Sequence, residues 1–357
     1  MLRLSLFCPI ALATVLSWHA GQQSFSFEAP TITAALGWDS PTITGLIWYP
    51  VGANSPEQPQ FIGPAGNPNF NAGAVAVGAP LIDQPPRFPL ILVSHGNGGS
   101  AAQMTWLGAA LARAGFIAAA IDHPGNTSAG KPTVQGFTEW WFRPPAMSAA
   151  LDRVLADPVF GPRIDRDRIG AAGFSRGGFA VVGLAGGLVD LAPFRAFCAR
   201  NPDDGTCNAP PEIPDIEARV KTMMANDPSY RAGLGAAGAP YADRRVRAIY
   251  AIAPSVGESL TLESLRRIDV PARFVYGTAD VTVIPPSNAL RIAGAIPKAT
   301  TLVIPDAGHF VFFATCTPAG KVAAARVCTD AATVDRAAVH RQVADDAAAF
   351  FASALKR

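Results

Sequence analysis

The feature that most restricts this chain is a recurring apolar run that stops at small or polar residues. "FPLILVSHG", "FIAAAID", "RIGAAGF", "VRAIYAIAP", "PARFVYGTAD" and "ATTLVIPD" are all of this kind. They are apolar on successive residues, not alternate ones, as strands buried on both faces read. Between them lie stretches with helical spacing. "SAAQMTWLGAALARAG" offers Ser100 as an N-cap, "PAMSAALDRVLAD" covers 145–157, and "GGFAVVGLAGG" follows Ser175. Strands alternating with helices through right-handed crossovers imply an α/β chain with a mostly parallel, doubly wound sheet and helices on both faces. Residues 24–50 alternate and predict antiparallel strands at the start of the sheet. Residues 51–88, rich in Pro, Gly and Asn, read as a long surface excursion. Between Leu188 and Arg247 the alternation fails. This insertion, 188–247, is either a lid over a site or an excursion packed at the side. An Ala-rich helix is expected over about residues 333–355.

The charge pattern excludes some partners. The chain of 357 residues has a net charge of +2 with its Lys and Arg scattered, so no nucleic-acid surface is expected. Beyond the N-terminus no stretch is long and apolar enough to span a bilayer, so no stable membrane insertion is expected. The first residues, "MLRLSLFCPIALATVLSWHAG", combine an early Arg, an apolar run and then small residues. They read as a signal peptide over 1–20, carrying Cys8 away and leaving a domain of 21–357 in the periplasm or outside the cell. The remaining cysteines are Cys198, Cys207, Cys316 and Cys328. Three pairings are possible, and the short-loop pairing Cys198–Cys207 with Cys316–Cys328 is expected, each bond contributing up to about 3 kcal/mol by restricting the unfolded chain. No Cys-x-x-Cys or nearby His favours zinc, so neither a metal nor another cofactor is expected.

"GFSRGG", residues 173–178, is the chemical centre of this reading. Gly-x-Ser-x-Gly is weak alone in a Gly-rich chain, but here it joins an apolar strand to a helix, where a nucleophile elbow belongs. Ser175 then needs a base to take its proton. His309, in "IPDAGHFVFF", follows the last predicted strand and supplies one; His340 reads as a solvent-facing helix residue. The acceptor that orients His309 is expected at Asp280, at the end of "ARFVYGTAD", with Asp306 and Glu258 as rivals and Asp122 as a turn residue. The resulting chain order is Ser175, Asp280, His309, the elbow-type order. Two N–H groups must hold a developing oxyanion. They are assigned to Arg176, next to the nucleophile, and to Asn97 in "HGNGG". Pocket walls are expected from His95, His123, Trp140, Trp141 and Phe310, although aromatics in "EWWF" and "FVFF" also suit a core.

Together, "IWYP", "LILVSHGNGG", "DHPGNT", "GFSRGG", "GTADVTVIPPSNA" and "AGHFVFF" resemble the α/β-hydrolase branch labelled dienelactone-hydrolase-like, related to the platelet-activating-factor acetylhydrolases. The cysteine-containing tail is similar to bacterial members. The resemblance implies the α/β-hydrolase fold, with Ser175 as nucleophile, His309 as base and Asp280 as its partner. Dienelactone hydrolases proper carry cysteine at the nucleophile, so Ser175 gives little support to dienelactone as substrate; the resemblance to exported serine members implies an esterase or lipase acting on carboxylic esters, with a small-molecule or lipid-like substrate. The same residues would serve an amidase or an acyltransferase, and a binding protein on the same scaffold is a further alternative.

Overall fold

A computed structural model describes residues 18–356; the expected export segment, Cys8 included, lies outside the described residues apart from its last three positions. The strands are β1 (His19–Glu28), β2 (Thr42–Val51), β3 (Gln58–Ile62), β4 (Phe70–Val77), β5 (Phe88–Ser94), β6 (Ile117–Ile121), β7 (Ile164–Phe174), β8 (Val246–Ile252), β9 (Ala272–Gly277), β10 (Ala299–Ile304) and β11 (Thr315–Cys316). Their order is β10-β9-β8-β7-β5-β6-β2-β1-β4-β11, with β3 on β4. β5 through β10 pair in parallel, while β2 joins β6 and β1 antiparallel.

The continuous apolar runs are explained by two cores, one on each face of the sheet. Along β5, Leu90 and Leu92 enter one core, and Ile91 and Val93 enter the other. Along β8, Ile249 and Ala251 oppose Tyr250 and Ile252 in the same way. The helices Arg143–Leu155 and Arg176–Leu184 cover the first face, and Thr105–Arg113 and Arg336–Ala354 cover the second. Burying each such aliphatic side chain contributes about 1.5–3 kcal/mol.

From β5 the chain crosses one face to β6, then returns over the other to β7 on the opposite side of β5. The winding direction thus reverses at β5, and the loops beyond β5 and β7 diverge to leave a crevice at the strand C-termini. That crevice holds the site.

His19 and Ala20, the last residues of the expected 1–20 segment, open β1; Ala20 is buried and its N–H donates to Glu57 Oε1 at 2.7 Å. One expectation needs correction. The stretch 51–88 is only partly a surface excursion, because β3 and β4 lie within it. β4 is held by pairing with β1, β3 and β11, contacts remote in sequence that local Pro and Gly content does not reveal. Both predicted disulfides, Cys198–Cys207 and Cys316–Cys328, are formed, as suits an oxidising environment. Among the described residues no helix is long and apolar enough to cross a membrane.

Candidate active site

β7 ends at Phe174 and the helix Arg176–Leu184 begins two residues later, so Ser175 alone makes the corner. Its φ of 55° and ψ of −115° lie in a region that L-residues rarely adopt, a strain of about 1–3 kcal/mol. The surroundings hold it there. The Ser175 N–H donates to the Ile252 carbonyl at 2.8 Å, and its own carbonyl accepts from Ser255 N at 3.1 Å. A Cβ at Gly173 would overlap the Gly177 carbonyl, and one at Gly177 would overlap that of Ser94. These two glycines let strand, helix and the neighbouring β5 meet closely enough to close the corner.

The structure brings Ser175, His309 and Asp280 into one line. Asp280 lies just past β9, and His309 opens a single helical turn after β10. His309 Nδ1–H donates to Asp280 Oδ2 at 2.7 Å. With the proton on that nitrogen, Nε2 is the acceptor, and the Ser175 hydroxyl donates to it at 2.9 Å. The other Asp280 oxygen accepts from the N–H groups of Thr282 at 2.9 Å and Val283 at 2.7 Å, which fixes the carboxylate plane. All three side chains are buried, a setting in which polar interactions strengthen. The rivals are engaged elsewhere: Asp306 accepts from Thr333, Glu258 pairs with Arg291, and Asp122 accepts from Ala101 N and Thr127. His340 is not solvent-facing. It is stacked on Trp106 and donates to the Val311 carbonyl, and burial pushes its pKa down to about 4.

The loop after β5 is held from below. The Gly96 carbonyl accepts from His95 Nδ1 at 2.7 Å, Arg143 Nη2 at 3.1 Å and Gly99 N at 3.2 Å. In a trans peptide the C=O and N–H point in opposite directions. Drawing Gly96 O into the protein therefore turns the Asn97 N–H toward the cavity. Arg176 opens its helix, so its N–H has no intrahelical acceptor either. Arg143 also donates to the His95 carbonyl and to Asn126 Oδ1; that oxygen accepts from Gly98 N, while Asn126 Nδ2 donates to Asn97 Oδ1. Sequence reasoning missed Arg143 and Asn126. The available signal was a cation in the first turn of a helix, against the dipole, between aromatics and a Pro pair in "WWFRPPAM".

His95 and His123 do not wall the pocket. Both are buried beneath the loop: His123 pairs with Ser94 Oγ, and its N–H donates to His95 Nε2. Burial first, and then the Arg143 cation, hold both rings well below the usual histidine pKa, so they stay neutral. Trp141 is likewise absent from the cavity; it is buried and its indole N–H donates to the Gly233 carbonyl at 3.0 Å. Trp140 and Phe310 do line it, together with Asn97, Ser175, Arg176 and His309. The cavity measures about 600 Å³, a size suited to a small organic ligand.

The insertion reaches this cavity. Phe194, Cys198, Asn208, Pro210, Glu212 and Ile216 all line it. Asp204 ties the disulfide loop to the segment after Asp280 by accepting from Ser287 Oγ at 2.8 Å. Residues of the insertion 188–247 thus form part of the cavity wall.

Comparison with known proteins agrees with this architecture. No curated protein matches the chain. Among solved structures, a ferulic acid esterase from Streptomyces cinnamoneus superposes with a TM-score of 0.61 at 20% identity, covering 97% of this chain and 92% of that one. At that identity the likeness is one of fold. A model of the alpha/beta hydrolase family matches residues 90–325, a span that contains the strained serine, its histidine and aspartate, and the loop beyond β5. A match over that much of the chain, on a sheet wound in this manner, makes the protein a member of the alpha/beta hydrolase family.

Proposed function

We propose that this protein is an exported serine hydrolase of carboxylic esters that works through an acyl-enzyme. The observation that carries the reading is the hydrogen-bonded line from Ser175 through His309 to Asp280, at the base of a cavity. Ser175 Oγ attacks the ester carbonyl as His309 Nε2 takes its proton, and Asp280 stabilises the imidazolium that forms. The backbone N–H groups of Asn97 and Arg176 receive the oxyanion of the tetrahedral intermediate. His309 then returns the proton to the leaving alcohol, and water repeats the sequence on the acyl-enzyme. The resemblance of the motifs to the dienelactone-hydrolase-like and acetylhydrolase-like branch supports an ester substrate, as does the esterase neighbour. The two disulfides and the N-terminal apolar segment support export.

A fluorophosphonate probe is expected to label the protein once, at Ser175, and a series of nitrophenyl esters of increasing acyl length is expected to be turned over. Both signals should vanish in Ser175→Ala. A folded protein that neither reacts with the probe nor cleaves any ester of the series would refute the proposal.

A further inference from the structure

The side chain of Arg176 has a separate position from its backbone. Its guanidinium carbon lies 4.7 Å from the centroid of the Trp140 ring, and both residues line the cavity beside Ser175. Its Nε and Nη1 are buried and, among the described residues, have no hydrogen-bond partner. Arg143, a buried guanidinium of the same region, donates only to neutral oxygens, those of His95, Gly96 and Asn126. Among the described residues no carboxylate forms an ion pair with either cation. Burial lowers the Arg176 pKa only to about 10, so it stays charged at neutral pH. Burying a cation with no anion is strongly unfavourable, and an aromatic face offsets only part of that.

The other charges around the cavity do not supply the missing anion. Asp203, Glu212 and Glu217 are exposed, as are Arg195 and Arg326; the Glu212 carboxylate lies against Gly98 of the loop beyond β5 and forms no ion pair with Arg176. Solvent and salt screen such groups. The floor is thus left cationic next to the nucleophile, with an aromatic face behind the charge.

We propose that the cavity selects esters bearing an anionic group, a carboxylate in particular, which the Arg176 guanidinium receives against Trp140. This rests on the reading of Ser175 as an ester-cleaving nucleophile. Arg176 adjoins Ser175 in the chain, so the anion belongs within a short spacer of the scissile ester. A half-ester of a short dicarboxylic acid has this form, as does an ester of a hydroxybenzoate.

Two matched pairs test it. 4-Nitrophenyl hydrogen glutarate against 4-nitrophenyl valerate places the charge on the acyl side, and 4-acetoxybenzoate against its methyl ester places it on the alcohol side. The expected result is a preference of at least about tenfold in kcat/KM for one of the anionic members, collapsing toward unity in Arg176→Met. The ratio within each variant is the readout, so a general loss of activity cancels. Binding is read without turnover by calorimetry on Ser175→Ala, using monoethyl glutarate against ethyl valerate and, again, 4-acetoxybenzoate against its methyl ester. At least one anionic member is expected to bind more tightly than its neutral match, and the added Arg176→Met change should remove that gap. Equal handling of both members of both pairs, or a preference that survives Arg176→Met, would overturn the proposal. Tight anion binding with no cleavage of any ester would instead overturn the esterase reading and leave the anion site standing.

Discussion

At Ser175 the chain accepts an unfavourable backbone conformation so that one hydroxyl stands above the sheet within reach of His309. That residue type and its partners were legible in the sequence. A serine between glycines at a strand-to-helix junction, followed in order by Asp280 and His309 at later strand ends, fits little else. Asp280→Asn is expected to keep the fold and lower kcat by about 10⁴-fold, because the amide favours the wrong histidine tautomer; pre-steady-state acylation would measure this. Arg143 was not legible, since its role depends on which carbonyls lie above it. If it sets the Asn97 peptide, Arg143→Met should lower kcat by about 10²–10³-fold, the scale of losing one oxyanion donor. KM should change far less, and Arg143→Lys, which keeps the charge but not the fork, should recover only part of the loss. An equal change in KM and kcat across the variants would contradict a positioning role.

At the scale of elements, the consecutive β-strands and helices follow closely from apolar periodicity, whereas the function of the insertion does not. Before β8 opens at Val246, residues 188–245 carry no buried strand pattern, and their position beside the cavity is fixed by contacts such as Asp204 with Ser287 and Trp141 with Gly233. One of these junctions carries a titratable group. Glu139 is fully buried beside Gly233 of the helix Pro228–Gly235, and among the described residues neither carboxylate oxygen has a hydrogen-bond partner. Burial first, and then the charge of Asp227, raise its pKa from 4.5 to about 8. Between those values the folded chain holds a proton that the unfolded chain has released, so stability falls as pH rises through that window. Thermal midpoints taken from pH 5 to pH 9 should therefore decline, and less steeply in Glu139→Gln. Identical slopes in the two proteins would show that Glu139 does not ionise on unfolding as described.

Across the whole molecule, two cores on opposite faces of one sheet supply most of the stability, and the disulfides fasten the segments outside them. Cys198–Cys207 closes the loop of the insertion, and Cys316–Cys328 closes the segment that β11 docks on β4. Each short loop is worth up to about 3 kcal/mol by restriction of the unfolded chain. Equilibrium denaturation should accordingly show a lower midpoint under reductant, and an unchanged midpoint with both bonds reduced would refute this. The sequence by itself determined the alternation of strands and helices and pointed to the short-loop cysteine pairing and to the serine, aspartate and histidine, because these rest on local periodicity, short loops and chain order. Only the tertiary structure decided that His95 and His123 lie beneath the site, that β4 joins the sheet, that residues of the insertion line the cavity and that Arg176 stands there with no ion-pair partner among the described residues. Those outcomes depend on burial and on partners distant along the chain, which a one-dimensional pattern does not encode.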